Sequence, residues 1–172
     1  MQRVNIVGQS SSGKTTLART LASRLGVPHV ELDALFWGPN WTPVDGELFR
    51  RRVADALAPE AWVADGGYEV ARDITWRRAD TVVWLDYAAP VVLARYARRA
   101  LGRMRSREEL WPGTGNHESL GNLLGPDSLL RLIVRGHRAK RRRMEARLAA
   151  RPDLAVVRLR SPAEARHWLE SV

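Results

Sequence analysis

Short apolar runs alternate along the chain with longer stretches whose apolar residues recur at helical spacing. The runs predicted as strands cover residues 4–7, 29–32, 62–64, 81–85 and 155–159. The stretches predicted as helices cover residues 14–25, 47–58, 90–101, 128–150 and 162–169. Continuously apolar strands that are separated by helices are typical of a parallel sheet with helices on both faces. We therefore predict one α/β domain over residues 1–172.

Two of the remaining segments have the composition of loops. Residues 35–44 are rich in Trp, Gly and Pro, and we predict a loop there. Residues 106–127 are Gly-rich and polar, and with the end of the preceding helix they are predicted to form a lid at about 103–127. In parallel α/β folds the ligand lies beyond the carboxyl ends of the strands. Function is therefore expected at the ends of the first four predicted strands.

The first of these ends carries a phosphate-binding sequence. Residues 8–15 read Gly-Gln-Ser-Ser-Ser-Gly-Lys-Thr, which matches G-x-x-x-x-G-K-[ST] throughout. Such a loop aims backbone N–H groups at phosphate oxygens, and the helix that follows adds the positive end of its dipole. The residues predicted to hold the nucleotide are Gly8, Ser10, Ser11, Ser12, Gly13, Lys14, Thr15 and Thr16. Among them, Lys14 is predicted to reach the β- and γ-phosphates and Thr15 to ligate Mg²⁺. The alternative, a serine–glycine turn with an exposed lysine, does not explain why the motif lies between a strand and a helix.

Acidic residues follow the other three strand ends. Asp33 is predicted to position a substrate hydroxyl or accept its proton, although Asp is also favoured in turns and at helix N-caps. Asp65 precedes Gly66-Gly67, where the backbone can approach a ligand closely. We predict that Asp65 supports Mg²⁺ through water, with a structural turn as the alternative. Asp86 has two interpretations, a metal-supporting acid and an N-cap for the next helix.

Composition narrows the function classes. The 172 residues include no cysteine, which excludes disulfides and thiolate metal sites. No apolar run approaches the ~20 residues that span a bilayer, and the first residues lack the pattern of a secretory signal. We therefore expect a cytoplasmic protein without membrane contact. The 28 basic residues outnumber the 19 acidic residues, which gives a net charge of +9. Only Lys14 and Lys140 are lysine, and the other basic residues are arginine. This excess indicates either a compositional bias towards Arg or attraction to polyanions such as nucleotides and nucleic acid.

The arginines are concentrated in two segments. Six lie between residues 95 and 107 with no acid among them. Arg95, Arg99 and Arg103 are four apart and share a helical face if the helix extends that far. Arg131, Arg135, Arg138 and Arg142 share a face of the long basic helix. An arginine that contacts the transferring phosphoryl group stabilises its charge, whereas most arginines are solvated surface residues. We predict phosphate contacts for a minority of them and expect residues 141–143 to face water or a polyanion.

Aromatic residues follow Asp33 closely. Phe36, Trp37 and Trp41 are interpreted either as an apolar wall of the substrate site or as a hydrophobic cover for the sheet edge. Two further tryptophans, Trp62 and Trp84, lie in predicted strands and are expected in the core. The four histidines show no metal-ligand spacing, and none is predicted to be catalytic.

Several segments besides the phosphate loop carry a family resemblance. They are Leu-Asp-Ala-Leu-Phe-Trp at residues 32–37, Trp-Val-Ala-Asp-Gly-Gly-Tyr at residues 62–68, and residues 79–86, 105–111 and 158–161. On these segments the chain resembles the DNA topology modulation proteins, which belong to the nucleotide-kinase-like branch of the P-loop NTPases. The resemblance spans nearly the whole chain.

The resemblance implies a fold and a set of contacts. The implied fold is adenylate-kinase-like, with a lid and a five-stranded parallel sheet in the order 2-3-1-4-5, and the implied nucleotide is ATP. It also implies that Asp65 supports Mg²⁺, that Arg95 and Arg99 contact adenine and phosphates, and that Arg160 lies beside the base. Nucleoside monophosphate kinases continue after Asp-Gly with Phe-Pro-Arg. Here residues 67–69 read Gly-Tyr-Glu, which disfavours a nucleoside monophosphate as the acceptor.

These observations predict an ATP-dependent kinase. It would transfer the γ-phosphoryl group of MgATP to an unidentified small molecule, with Lys14, Asp33 and Arg99 as catalytic residues. The alternative is a nucleotide-dependent regulatory protein that binds nucleic acid through its Arg-rich helix and has no small-molecule kinase activity. A simple ATPase or a toxin-like kinase is a third hypothesis.

Overall fold

The computed structural model describes residues 1–106, 109–111, 113–117 and 129–172. Its parallel strands are β1 (Arg3–Gly8), β2 (His29–Glu31), β3 (Trp62–Asp65), β4 (Thr81–Leu85) and β7 (Ala155–Leu159). They form one sheet in the order β2-β3-β1-β4-β7. The predicted order is confirmed, because β7 is the fifth parallel strand. Between β4 and β7 in the chain, β5 (Glu109–Leu110) and β6 (Asn116–His117) pair as a small antiparallel hairpin.

The helices follow the strands in alternation. The α-helices are α1 (Lys14–Leu25), α2 (Leu32–Phe36), α3 (Gly46–Ala56), α4 (Arg72–Arg78), α5 (Ala89–Ser106), α6 (Leu129–Ala149) and α7 (Pro162–Glu170). Short 3-10 turns cover Pro39–Trp41 and Glu69–Ala71. In the described part of the chain, no helix has the length and apolar character needed to cross a membrane.

Each face of the sheet is covered by its own layer of helices. On one face, Ile6 of β1 packs in a cluster with residues of α1, α5 and α7. On the other face, Val7 packs with residues of α3, α4 and the end of α6. Successive residues of β1 are therefore buried on opposite sides, which explains why the strands are apolar without alternation. Trp62 and Trp84 are buried as predicted, at 0% and 5% exposure.

The structure corrects several predicted elements. Strand β2 ends at Glu31, one residue before its predicted end at residue 32. Residues 35 and 36, predicted as the start of a loop over 35–44, belong to helix α2. Helix α5 continues beyond its predicted end at residue 101 through Gly102 to Ser106. A glycine inside a helix costs only ~1 kcal/mol relative to alanine, and good helix formers surround it. Helix α4 was not predicted, since its buried residues are the consecutive Ile74, Thr75 and Trp76 rather than a helical repeat.

Part of the predicted lid falls outside the described residues. This applies to Arg107 and to most of the segment at about 103–127. The side chains of Arg105 and Arg131 also lie outside the described part of the chain. The described portion of the lid segment consists of the end of α5 and the β5–β6 hairpin.

Candidate active site

The phosphate loop joins β1 to α1 at the carboxyl edge of the sheet. Its two glycines have positive φ values, 155° at Gly8 and 95° at Gly13. A Cβ atom at Gly8 would lie 2.8 Å from the carbonyl oxygen of Leu85, and one at Gly13 would lie 2.8 Å from Nη1 of Arg95. The backbone therefore curls into a space that side chains at these two positions would block.

The start of α1 presents backbone amides without a competing acid. Gly13 occupies the N-cap position and has no side chain to cap the first turn, which contains no acidic residue. The first N–H groups of a helix lack intrahelical partners and favour an anion. Behind them, the hydroxyl oxygens of Ser11 and Ser12 are buried and find no hydrogen-bond partner among the described residues. A bound polyphosphate would satisfy the amides of such a loop.

Lys14 reaches back over the loop. Its Nζ donates a hydrogen bond to the carbonyl oxygen of Gln9 at 3.2 Å. Burial lowers the pKa of Lys14, as does the positive charge of Arg99, whereas the carboxylates of Asp33, Asp65 and Glu31 raise it. The ammonium therefore lies where three carboxylates and a guanidinium converge, and a phosphate there would stabilise its charged form.

Asp65 links the phosphate loop to β2. This last residue of β3 is 2% exposed. Its Oδ2 accepts a hydrogen bond from Oγ1 of Thr15 at 2.7 Å, and its Oδ1 lies 2.7 Å from Nε2 of His29. His29 contacts this carboxylate from the neighbouring parallel strand, and the prediction that no histidine is catalytic stays a prediction. The sequence signal was weak, because His29 and Asp65 are 36 residues apart.

The donor set beside Thr15 suits a magnesium ion that is held mainly by phosphate and water. Among the described residues, no group of three or more His, Cys, Asp or Glu side chains could hold a metal. Mg²⁺ commonly takes one or two protein oxygens and completes its octahedron with substrate phosphates and waters. The hydroxyl of Thr15 and the carboxylate of Asp65 fit that pattern.

Asp33 lies in the first turn of α2 and faces the cavity. Its Oδ1 accepts a hydrogen bond from the hydroxyl of Tyr68 at 2.6 Å. Burial and the nearby charge of Asp33 raise the pKa of Tyr68, so the phenol remains a donor. The N-cap position of α2 is occupied by Glu31. The alternative interpretation of Asp33 as a helix N-cap is therefore wrong.

The aromatic residues after β2 divide between the core and the cavity. Phe36 packs against Phe49 and Tyr68, with ring centroids 5.1 and 4.4 Å away, and so covers the core. Trp37 and Trp41 line the cavity instead. Trp41 also contacts Trp111, whose ring centroid lies 5.8 Å away.

The hairpin segment completes this aromatic wall. Trp111 Nε1 donates to Oε1 of Glu31 at 3.2 Å, and the Trp41 amide donates to Oδ1 of Asn116 at 2.7 Å. Burial raises the pKa of Glu31, and the carboxylates of Asp65 and Asp33 add to this shift. The hairpin is thus held against the segment that carries Asp33.

The predicted arginines divide between the loop and the cavity. Arg95 donates to the carbonyl oxygen of Ser12 at 2.6 Å and lies 5.5 Å from the Tyr87 ring, so it braces the phosphate loop. Arg99 lies over Tyr96 and faces the cavity, as does Arg103 one turn later. Arg160 is exposed after β7, and its contact with the base stays a prediction.

Asp86 lines the cavity and pairs with arginines, and it does not cap the next helix, which begins at Ala89. Its suggested support of a metal stays a prediction. Its Oδ2 lies 2.6 Å from Nη2 of Arg158 and 3.1 Å from Nη2 of Arg141. Arg158 also contacts Glu145 at 2.7 Å and lies 4.3 Å from the Trp84 ring centroid. The carboxylate therefore anchors α6 to the ends of β4 and β7.

One cavity of about 720 Å³ is lined by part of the predicted site. The predicted site residues that line it are Gly8, Ser10, Lys14, Thr15, Asp33 and Arg99. The predicted residues outside its lining are Ser11, Ser12, Gly13, Thr16, Asp65, Arg95 and Arg160. Lining residues that the sequence did not indicate include Glu31, Glu69, Arg72, His137 and Arg147. Arg141 and Arg143 also line the cavity, which corrects the expectation that they lie away from it. Asp86, which lies 3.1 Å from Arg141, draws that side chain towards the ends of the strands.

Comparison with known proteins identifies relatives of this chain. No family model matches the chain. The shikimate kinase of Symbiobacterium thermophilum is 37% identical over 142 residues, covering 74% of this chain and 72% of the relative. The shikimate kinase of Synechococcus elongatus is 33% identical over 104 residues, covering 52% of this chain and 55% of the relative.

Solved structures show the same fold. The shikimate kinase of Acinetobacter baumannii in complex with shikimate has a TM-score of 0.60 at 21% identity, covering 99% of this chain and 90% of that one. A gluconokinase of Sinorhizobium meliloti 1021 has a TM-score of 0.54 at 19% identity, covering 99% of this chain and 92% of that one. The fold and the relatives together therefore define an ATP-dependent small-molecule kinase of the P-loop class. Within that class, the chain belongs to the shikimate kinase family. The nucleotide-kinase-like fold predicted by resemblance is confirmed, whereas the resemblance to the DNA topology modulation proteins stays a prediction.

Proposed function

We propose that this kinase transfers the γ-phosphoryl group of MgATP to a hydroxyl group held beside Asp33. The observation that carries the proposal is that Lys14 of the phosphate loop and Asp33 of α2 line the same cavity. Lys14 would supply a cation for the transferring phosphate, and Asp33 would supply a carboxylate for the acceptor hydroxyl, within the same cavity. A cation at the phosphates and a carboxylate that orients the acceptor hydroxyl recur in enzymes that transfer a phosphoryl group to an alcohol.

The nucleotide would lie along the phosphate loop. Amides from Gly8 to Thr16 would surround the phosphates, with the hydroxyls of Ser10–Ser12 nearby, and Arg95 would hold the loop in shape. Thr15 would ligate Mg²⁺ directly and Asp65 through water, and the ion would neutralise negative charge on the phosphates. Arg160 would border the adenine.

The transfer follows from the positions of Asp33, Lys14 and Arg99. Asp33 accepts the proton of the acceptor hydroxyl while that oxygen bonds to the γ-phosphorus, and the bond from this phosphorus to the β–γ bridging oxygen breaks to release ADP. Lys14 and Arg99 stabilise the charge that develops on the phosphoryl oxygens. Tyr68 holds the carboxylate through its 2.6 Å hydrogen bond, and the tryptophan wall excludes water.

Shikimate is the first acceptor to test, because the relatives are shikimate kinases and one of the solved structures holds shikimate. Product formation should be followed by ³¹P NMR, beginning with shikimate and continuing with other hydroxylated acids and with sugars. Asp33→Asn should lower kcat by about 10²–10⁴ with little change in the Kd for MgATP. Asp55→Asn, at an exposed carboxylate of α3, is the matched control and should leave both values unchanged. Equal losses of turnover and ATP affinity in Asp33→Asn would assign that residue a structural role.

Exposed arginines favour a second candidate function, the binding of nucleic acid. Arg135, Arg138 and Arg142 of α6 are exposed, and a basic helix face suits phosphate contacts without base recognition. Steeply salt-dependent DNA binding, with no phosphate transfer to any acceptor, would support this function over the first. For either function we propose a cytoplasmic location, where MgATP is supplied.

A further inference from the structure

A histidine on an edge strand of the sheet contacts the carboxylate beside the phosphate loop. Strand β2 lies at the edge of the parallel sheet and pairs with β3, so that His29 lies next to Val63 and Glu31 next to Asp65. Residues two apart in a strand point to the same face of the sheet. Val63 belongs to the cluster that packs against α1. Asp65 therefore also points towards α1, the helix that follows the phosphate loop, and His29 meets it there.

Each oxygen of the Asp65 carboxylate has a different partner. Oδ1 lies 2.7 Å from Nε2 of His29, and Oδ2 accepts a hydrogen bond from the Thr15 hydroxyl at 2.7 Å. These lengths are typical of hydrogen bonds to a charged group. The side chain of Asp65 is 2% exposed and that of His29 is 18% exposed, so little water can replace either partner. The two contacts together fix the plane of the carboxylate.

The contact with His29 determines which oxygen faces the phosphate loop. The last torsion of an aspartate side chain is broad, and a carboxylate that is bonded through one oxygen alone can turn. Because Thr15 already donates to Oδ2, Oδ1 is held only by the imidazole among the described residues. His29 is not among the residues that line the cavity. It therefore has no direct contact with a substrate there and would act through Asp65.

We propose that His29 is a positioning residue for the magnesium site. Its Nε2–H donates to Oδ1 of Asp65 and keeps Oδ2 directed at Thr15, where the ion is expected. The inference rests on the proposed kinase function and adds to it a residue behind the carboxylate. The role needs an N–H donor at the position of Nε2. Glutamine can supply such a donor and leucine cannot.

NMR of the ¹⁵N-labelled parent protein tests the hydrogen bond without any substitution. The carboxylate oxygen accepts, so Nε2 of His29 must carry a proton whichever state Nδ1 has. We expect a long-range ¹H–¹⁵N spectrum at neutral pH to show a protonated Nε2, assigned by the loss of its signal in His29→Gln. An unprotonated Nε2 refutes the proposal.

Calorimetry tests the consequence for the metal. Binding of a non-hydrolysable ATP analogue is measured at increasing Mg²⁺ concentrations and also without metal. His29→Leu should raise the Mg²⁺ requirement about ten- to hundredfold, the usual effect of removing the partner of a metal-supporting residue, with unchanged metal-free affinity. His29→Gln should keep the requirement of the parent protein. His167→Leu is the matched control, because His167 is an exposed histidine of α7, and it should change neither value.

A double variant shows whether His29 acts through Asp65. Substitutions of two residues in contact are not additive when one residue acts through the other. Asp65→Asn removes the charge that the histidine directs. Adding His29→Leu to Asp65→Asn should therefore change the Mg²⁺ requirement by less than about twofold. Additive effects of the two substitutions would overturn the proposal.

The outcomes separate the role of His29 from the kinase function. The proposal is refuted if His29→Leu has the Mg²⁺ requirement of the parent protein, or if the Gln and Leu variants raise it equally. If circular dichroism shows that His29→Leu does not fold, the NMR result and the requirement of His29→Gln decide. If the requirement changes as expected but no acceptor is phosphorylated, the role of His29 stands and the kinase function falls. If the parent protein phosphorylates an acceptor and His29→Leu shows no change in the requirement, the kinase function stands and the role of His29 falls.

Discussion

Replacing Asp86 with Asn should destabilise the fold measurably, because Asp86 is the centre of the ionic contacts that hold α6 against the sheet. Its side chain is 3% exposed, while those of Arg158 and Arg141 are 27% and 43% exposed. Removing one member of a fully buried ion pair costs ~3–5 kcal/mol, whereas an exposed pair contributes only ~0–1 kcal/mol. Both guanidiniums reach water, and Arg158 keeps its contact with Glu145 at 2.7 Å. We therefore expect an intermediate loss of about 1–3 kcal/mol.

Urea unfolding followed by tryptophan fluorescence measures this loss, and the thermal midpoint should fall by about 2–4 °C for each kcal/mol. Asp153→Asn is the matched control. Asp153 also pairs with an arginine, Arg151 at 2.6 Å, but its side chain is 59% exposed, so the free energy of unfolding should change by less than about 0.5 kcal/mol. Equal losses in the two variants, or an unchanged stability in Asp86→Asn, would refute the assignment of Asp86 as the anchor of α6.

Three further predictions follow from the contacts of the site. Gly66→Ala should destabilise the protein by about 1–3 kcal/mol in urea unfolding, because Gly66 has a φ of +132° and its Cβ would lie 2.8 Å from the side chain of Leu32. Gly67→Ala is the control: its Cβ would lie 3.9 Å from Val7, an ordinary van der Waals distance, and the stability should stay within about 0.5 kcal/mol of the parent value. Thr15→Val removes the hydroxyl bonded to Asp65, and calorimetry should show that nucleotide binding needs more Mg²⁺, with unchanged metal-free affinity; an unchanged Mg²⁺ requirement would contradict the role of Thr15. The raised pKa of Glu31 means that the parent protein loses stability as the pH rises from 4.5, the ordinary value, through the folded-state pKa. Glu31→Gln should not show this loss in thermal midpoints measured against pH, and parallel pH profiles would contradict the prediction.

The elements that the sequence predicted correctly are those whose burial leaves a local pattern. Strand β4 is buried along its whole length, so residues 81–85 read as an unbroken apolar run with the observed bounds. Helix α1 buries Leu17, Ala18, Leu21 and Ala22 at helical spacing and ends at Gly26 in the left-handed conformation. In both cases the residues that decide the structure are neighbours in the chain.

The features that the sequence did not predict depend on contacts between distant segments. His29 reaches Asp65 because β2 and β3 pair in parallel, and nothing near either residue indicates the contact. Glu69 and Arg147 are 78 positions apart in the chain but lie in contact. The end of α6 brings them together, because Leu148 packs with residues of α3 and α4. Asp86 was interpreted as a cap or metal support from its place after a strand, yet its partners come from α6 and β7. The phosphate loop, by contrast, could be identified because all its functional groups lie within eight consecutive residues.

The central claim is that the loop before α1 and the ammonium of Lys14 bind the phosphates of ATP. Calorimetry of MgATP binding to Lys14→Met tests it most directly, with Arg19→Met as the control because Arg19 is an exposed cation of the same helix. We predict that Lys14→Met binds MgATP about tenfold or more weakly, as expected for the loss of a charged hydrogen bond of ~1.5–3 kcal/mol, while circular dichroism shows an intact fold and Arg19→Met binds normally. An unchanged MgATP affinity in a folded Lys14→Met protein would contradict the claim.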